Sequence, residues 1–164
     1  MPGRLIQSLL EMMRLRSGPQ DLPQGQSLAV ILALVYIAQG FIADRVLDAP
    51  DAAPRTLVAI GIQFALITAL LKLRGLNARV HQTIGALAGT GFLFGLLSIA
   101  LLSAVDPSKP QAEIAFLYLG LFLWSLAVDG HIYRHALSAT LGLGVLLAVL
   151  IFLVNFLVLR ALFG

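Results

Sequence analysis

The sequence of 164 residues contains no cysteine, and only 12% of its residues are charged. The absence of cysteine excludes a disulfide framework, a zinc–thiolate site, an iron–sulfur cluster and a cysteine nucleophile. The scarcity of charge excludes a water-soluble enzyme, because ordinary soluble domains carry about 25% charged residues. The same scarcity argues against a disordered tail and against a DNA-binding domain, and no basic face with interleaved aromatic residues is present.

Apolar side chains dominate the sequence, with 59% hydrophobic residues and a mean hydropathy of +0.94. A transmembrane helix needs about 20 mostly apolar residues, so the chain has room for roughly six spans at most. The pattern predicts an all-α fold, a polytopic membrane bundle in which five transmembrane helices follow an amphipathic helix. The predicted parts are a cytoplasmic helix and linker at 1–26 and a transmembrane domain at 27–164, with spans at about 27–43, 56–73, 83–105, 113–128 and 136–159.

The division of the last apolar stretch is the main choice in this layout. Residues 114–163 are too long for one helix, and few charged residues or histidines interrupt them. A turn at Asp129–His135, which holds four of the five charged or histidine residues of this stretch, gives two spans of suitable length. A four-span alternative would leave about 20 apolar residues without a place in the bilayer.

Residues 2–16 predict an amphipathic helix that is too polar to span the bilayer. Its apolar face contains Leu5, Ile6, Leu9, Leu10, Met12 and Met13. Its cationic residues Arg4, Arg14 and Arg16 favour a position on an anionic membrane surface. The alternative is that the apolar face packs on the protein's own bundle, and both contacts can exist together. Residues 17–26, rich in proline and glycine, predict a linker.

The distribution of positive charge predicts the orientation. If the amino terminus is cytoplasmic, seven of the eleven Lys and Arg residues lie in inside segments, which agrees with the positive-inside rule. The carboxyl terminus of a five-span chain is then extracytoplasmic. The inside residues are Arg4, Arg14, Arg16, Lys72, Arg74, Arg79 and Arg134; the outside residues are Arg45, Arg55, Lys109 and Arg160.

The third span contains two GxxxG pairs, Gly85 with Gly89 and Gly91 with Gly95. Small residues let membrane helices approach closely, and the two pairs point to different sides of the helix. The pattern predicts a central helix that packs against two neighbours within the chain. An oligomer interface or a bend in a transport path is the alternative.

Five polar or aromatic residues gather near the predicted turn between the last two spans. We expect them to be interface anchors at the membrane boundary. A proton or substrate site is an alternative, and so is a metal site, because His131 and His135 are spaced i, i+4 and Asp129 could add a ligand. The cluster comprises Asp129, His131, Tyr133, Arg134 and His135.

Three amides, Gln39, Gln63 and Asn155, lie inside predicted spans. Each is expected to bond to a neighbouring helix. No predicted span has an acidic or basic residue near its middle, which weakens the case for an ion-coupled transporter. The sequence also lacks the common catalytic and phosphate-binding motifs, so neither an enzyme activity nor a cofactor is expected.

The leader at residues 12–23, MMRLRSGPQDLP, followed by five closely spaced spans, resembles the bacterial Yip1-like inner-membrane proteins. The Asp-Leu-Tyr-Gly-Pro signature of the eukaryotic family is absent, and Gly18-Pro19 and Asp21-Leu22-Pro23 resemble it only in fragments. The resemblance implies a non-enzymatic scaffold or partner of other membrane proteins, and it implies no catalytic residue.

The expected function is a non-catalytic accessory or scaffold subunit of a bacterial inner-membrane assembly. Its expected partners are the lipid bilayer and either another membrane protein or a second copy of the chain. Binding to nucleic acid is not expected. The alternative is a small transporter or channel, whose polar path would run through Gln39, Gln63, Asn155 and the Asp129–His135 cluster.

Overall fold

The computed structural model describes residues 2–46, 52–106, 108–109 and 111–164. These residues form six α-helices, and five of them are long and apolar enough to cross a membrane. The protein is therefore an all-α, multi-pass membrane protein, as predicted. The helices are α1 Pro2–Met13, α2 Gln26–Val46, α3 Ala52–Leu73, α4 Val80–Leu102, α5 Ala112–Ala136 and α6 Leu141–Phe163.

The predicted turn at Asp129–His135 is wrong. Helix α5 continues through these residues to Ala136, and the connection to α6 is Leu137–Thr140. The amide of Ser138 donates to the carbonyl of His135, and that of Ala139 donates to the carbonyl of Arg134. These two bonds form a Schellman stop, which needs a left-handed residue. Ser138 supplies it with φ 52°.

Helices α1 and α3 end in the same way. Gly75 takes the left-handed position after α3, with φ 71°, while Leu15 takes it after α1, with φ 60°. In each case the next residue's amide bonds back to the carbonyl five positions earlier. Only Gly75 is the residue type that this stop prefers, since glycine has no Cβ to crowd the backbone.

Helix α4 lies in the centre of the bundle, between α2 and α5. Its residues 85–90 are all buried, which is expected only of a helix surrounded on every side. Helix α5 in turn packs along α6, and α3 contacts both α2 and α6. Helices α2, α3, α5 and α6 thereby enclose a space beside α4.

Helix α1 packs its apolar face on α4 and α5. Leu9, Met12 and Met13 are buried, and the indole of Trp124 donates a 2.8 Å hydrogen bond to the carbonyl of Met13. The packing that the sequence left as an alternative is therefore present. Ile6 stays 54% exposed, so α1 also keeps apolar surface outside the bundle. Its placement on the membrane surface stays a prediction.

Candidate functional site

The polar cluster of α5 divides onto two faces of the helix. Asp129 and Tyr133 are one turn apart and both bond to Gln63 of α3. His131 and His135 are also one turn apart, but they contact the linker that follows α1. Residues two apart on a helix differ by about 200° in direction, which separates these pairs. The sequence predicted one cluster, whereas the fold makes two sites.

The Asp129 face forms a network of three side chains. The amide nitrogen Nε2 of Gln63 donates to Oδ2 of Asp129 and to the hydroxyl oxygen of Tyr133, each at 3.0 Å. Both of its hydrogens are therefore used. Gln63 lies ten residues before Leu73, roughly 15 Å along α3, so the network lies inside the bundle. Asp129 is thus an acidic residue inside a span, at the depth of Gln63, and the prediction that no span has an acidic residue near its middle is corrected.

A cavity of about 300 Å³ adjoins this network between α2, α3, α5 and α6. Asp129 and Gln63 line it together with Asn155 of α6 and Tyr36 of α2. Oδ1 of Asn155 is buried and finds no hydrogen-bond partner among the residues that the structure describes. The remaining wall is mainly apolar. This combination of an apolar lining and a few convergent polar groups is typical of small-molecule sites.

The histidine face holds the linker. Nε2 of His131 lies 2.9 Å from the backbone carbonyl oxygen of Ser17. Nδ1 of His135 lies 3.4 Å from the side-chain nitrogen Nε2 of Gln20. Nearby, the amide of Gln82 on α4 donates to the carbonyl of Leu22 at 3.1 Å. These contacts fasten residues 17–22 over the ends of α4 and α5.

The fold does not bring together the three metal ligands that the sequence suggested, His131, His135 and Asp129. The two imidazole rings are close, with centroids 4.6 Å apart, but Asp129 bonds to Gln63 on another face. Within the described part of the chain, no group of three or more His, Cys, Asp or Glu side chains is placed to hold a metal ion.

Gln39 lies apart from the cavity. Its side chain is 6% exposed, and its Nε2 donates to the carbonyl of Phe92 on α4 at 2.8 Å. This is the interhelical contact expected of an amide in a membrane bundle. Among the four groups of the predicted transport path, Gln63, Asn155 and Asp129 meet at one cavity, and Gln39 does not. Transport stays a prediction, which solute uptake into proteoliposomes would test.

The four glycines of α4 face other parts of the same chain. A Cβ on Gly85 would lie 3.6 Å from Cα of Ala29 on α2, and one on Gly91 would lie 2.7 Å from the ring of Tyr36. Gly89 faces Leu9 of α1, and Gly95 faces Gln39. The packing within the chain thus occurs at all four positions.

Arg79 was not among the predicted site residues, yet it closes the end of α5. Its Nη1 donates to the carbonyl of Ala136 at 2.9 Å, to that of His135 at 3.3 Å and to the hydroxyl of Ser138 at 2.7 Å. A basic side chain is favourable there because the last carbonyls of a helix carry partial negative charge. Arg79 and Arg134 also line a second cavity of about 460 Å³. The predicted surface residues Arg4, Arg14 and Arg16 are exposed.

Comparison of the chain with family models, with curated proteins and with solved structures found no match in any of the three. The resemblance to Yip1-like proteins therefore stays a prediction.

Proposed function

We propose that the protein is a non-catalytic accessory subunit of a bacterial inner-membrane assembly and that it binds another membrane protein or a second copy of itself. The supporting observation is a stripe of small residues on the outer face of α3. Gly61, Ala65 and Ala69 are spaced by four residues, and all three are exposed. Apart from the adjoining backbone of α3 itself, no atom of the described residues lies within 4 Å of the position that a Cβ on Gly61 would take.

The small residues of α4 are in a different environment from this stripe. The space beside the glycines of α4 is occupied by side chains and backbone of the same chain, whereas the stripe on α3 faces outward. Lipid supplies no hydrophobic drive between helices, so membrane helices associate where small residues allow close backbone approach. A helix from a partner fits such a surface.

Replacing Gly61 with leucine is expected to separate the protein from its partner. The added side chain would hold the helices apart, and overpacking of this kind costs about 1–3 kcal/mol. Gly120→Leu on α5 is the matched control, because Gly120 is also exposed with no atom within 4 Å of its Cβ position. The measurement is the mass of the complex purified in mild detergent, against 17.5 kDa for the chain alone.

The wild type and Gly120→Leu should then run as a larger complex, and Gly61→Leu should run as the monomer. A wild-type protein that is a monodisperse monomer with no co-purifying protein would overturn the proposal.

The proposed orientation has a cytoplasmic amino terminus and an extracytoplasmic carboxyl terminus, as the positive-inside count favours. Reporter fusions at residue 50, at residue 77 and after Gly164 are expected to report outside, inside and outside. Residue 50 lies outside the described part of the chain, and residue 77 lies between α3 and α4. A cytoplasmic carboxyl terminus would contradict this orientation.

A further inference from the structure

The cavity between α2, α3, α5 and α6 contains the carboxyl group of Asp129, which has no positive partner among the described residues. No Lys or Arg lines the cavity, and Asp129 makes no ion pair within the described part of the chain. An ionised carboxylate away from water is costly unless it is paired. Acidic residues inside membrane bundles are therefore functional candidates by default. A carboxyl group without such a partner is neutral, so a cation in the cavity would be the partner that allows Asp129 to ionise.

Aromatic rings form a large part of the cavity wall. Phe122 and Phe152 have centroids 5.0 Å apart, and Phe152 lies 6.5 Å from Phe156. Tyr36 contributes a fourth ring. The face of an aromatic ring attracts a cation, most strongly where water is excluded. The wall therefore favours a positively charged ligand, as Asp129 also does.

The remaining polar groups also favour a positive ligand. The unpartnered Oδ1 of Asn155 is a hydrogen-bond acceptor, as is the carboxylate of Asp129. An anion would be repelled by the carboxylate of Asp129. A bare Mg²⁺ or Ca²⁺ ion would need six or more oxygen ligands at about 2–2.6 Å, which an aromatic-lined space does not provide. Among the described residues, no group of three or more His, Cys, Asp or Glu side chains could hold another metal ion. The chemistry that fits is an organic cation with apolar substituents.

We propose that this cavity binds a small lipophilic organic cation, with its ammonium group against Asp129 and its apolar part among the rings of Phe122, Phe152 and Phe156. The volume of about 300 Å³ is at the lower end for small-molecule sites. Phe152 and Phe156 are 39% and 51% exposed on the outside of the bundle. These two rings border both the cavity and the outer surface of the bundle, the side from which a lipophilic ligand would enter. This site is independent of the partner surface on α3.

Equilibrium dialysis of labelled benzyltrimethylammonium against the full chain in lipid nanodiscs tests the proposal. This probe has an aromatic ring and a charge that does not depend on pH. Wild-type protein is expected to bind it saturably. Asp129→Asn should weaken binding about 30-fold or more, the usual effect of removing one partner of a buried charge pair. Glu113→Gln, which removes an exposed carboxylate from the same helix, should bind as the wild type does.

Two further measurements do not depend on the folding of the Asp129 variant. Neopentylbenzene has the same shape as the probe without its charge, and it should not displace the probe from wild-type protein. Phe152→Leu keeps the carboxylate and removes one ring, and it should weaken binding about threefold. No saturable binding by wild-type protein, displacement by the neutral compound, or equal binding by a folded Asp129→Asn variant would overturn the proposal.

Discussion

Replacing Gly144 with alanine is expected to lower the free energy of unfolding by about 3 kcal/mol, the upper range for overpacking. The reason is the close crossing of α5 and α6. A Cβ on Gly144 would overlap the carbonyl oxygen of Gly130 and lie 3.0 Å from the backbone nitrogen of Arg134. Backbone atoms cannot rotate aside as a side-chain end can, so the two helices would have to separate.

Gly142→Ala is the matched control for this effect. Gly142 lies in the same first turns of α6, and nothing lies within 4 Å of its Cβ position. Alanine is the better helix former by up to about 1 kcal/mol, so this variant should be as stable as the wild type or slightly more stable. Thermal unfolding in detergent measures both. Equal melting temperatures for the two variants would show that the crossing tolerates separation.

The same crossing explains why the sequence misplaced the end of α5. Gly130 follows Asp129, and a glycine next to an aspartate is typical of a turn. In the structure Gly130 is helical, and a Cβ there would lie 2.8 Å from Cα of Val145. The small size of Gly130 allows α5 and α6 to approach closely, and the residue does not interrupt α5. The actual stop uses Ser138 in a left-handed conformation, a role for which serine gives no clear sequence signal.

The number and type of the helices could be predicted because they depend on local composition. An apolar run of suitable length must satisfy its backbone groups internally, and a helix does this within one segment. All five spans were found for that reason. Their ends depend on contacts between distant residues and were less predictable: α5, for example, ends at Ala136 and not near residue 128.

The candidate site was predictable only in part. Gln63 and Asn155 were found because an amide inside a span is unusual, and both line the cavity. Asp129 was found as well, but it was assigned to a turn. Its position inside the bundle follows only from the observed end of α5 at Ala136. Tyr36 and Phe152 were missed because an aromatic residue in an apolar span carries no signal of its own. Their role depends on which helices meet.

Helix α1 had two possible placements in the sequence analysis, on the membrane surface and on the bundle. Met12 is fully buried against the bundle, whereas Ile6 is 54% exposed. Met12→Lys would bury a charge and should undock α1. Loss of a buried methionine side chain alone costs about 2–5 kcal/mol, so the undocked population should rise about 30-fold or more. Ile6→Lys adds the same side chain on the exposed face and should leave α1 docked.

Trp124 makes this docking measurable, because it is the only tryptophan in the chain and its indole bonds to the carbonyl of Met13 at 2.8 Å. Its ring also packs edge-on against Phe94, at 5.0 Å between centroids. Undocking should therefore change the emission of Trp124 and speed subtilisin cleavage of the linker at 17–26, in proportion to the open population. We expect both changes in Met12→Lys and neither in Ile6→Lys. If Ile6→Lys gave the same changes, the exposed face of α1 would itself be needed for docking, and the bilayer would be the surface that supplies the contact.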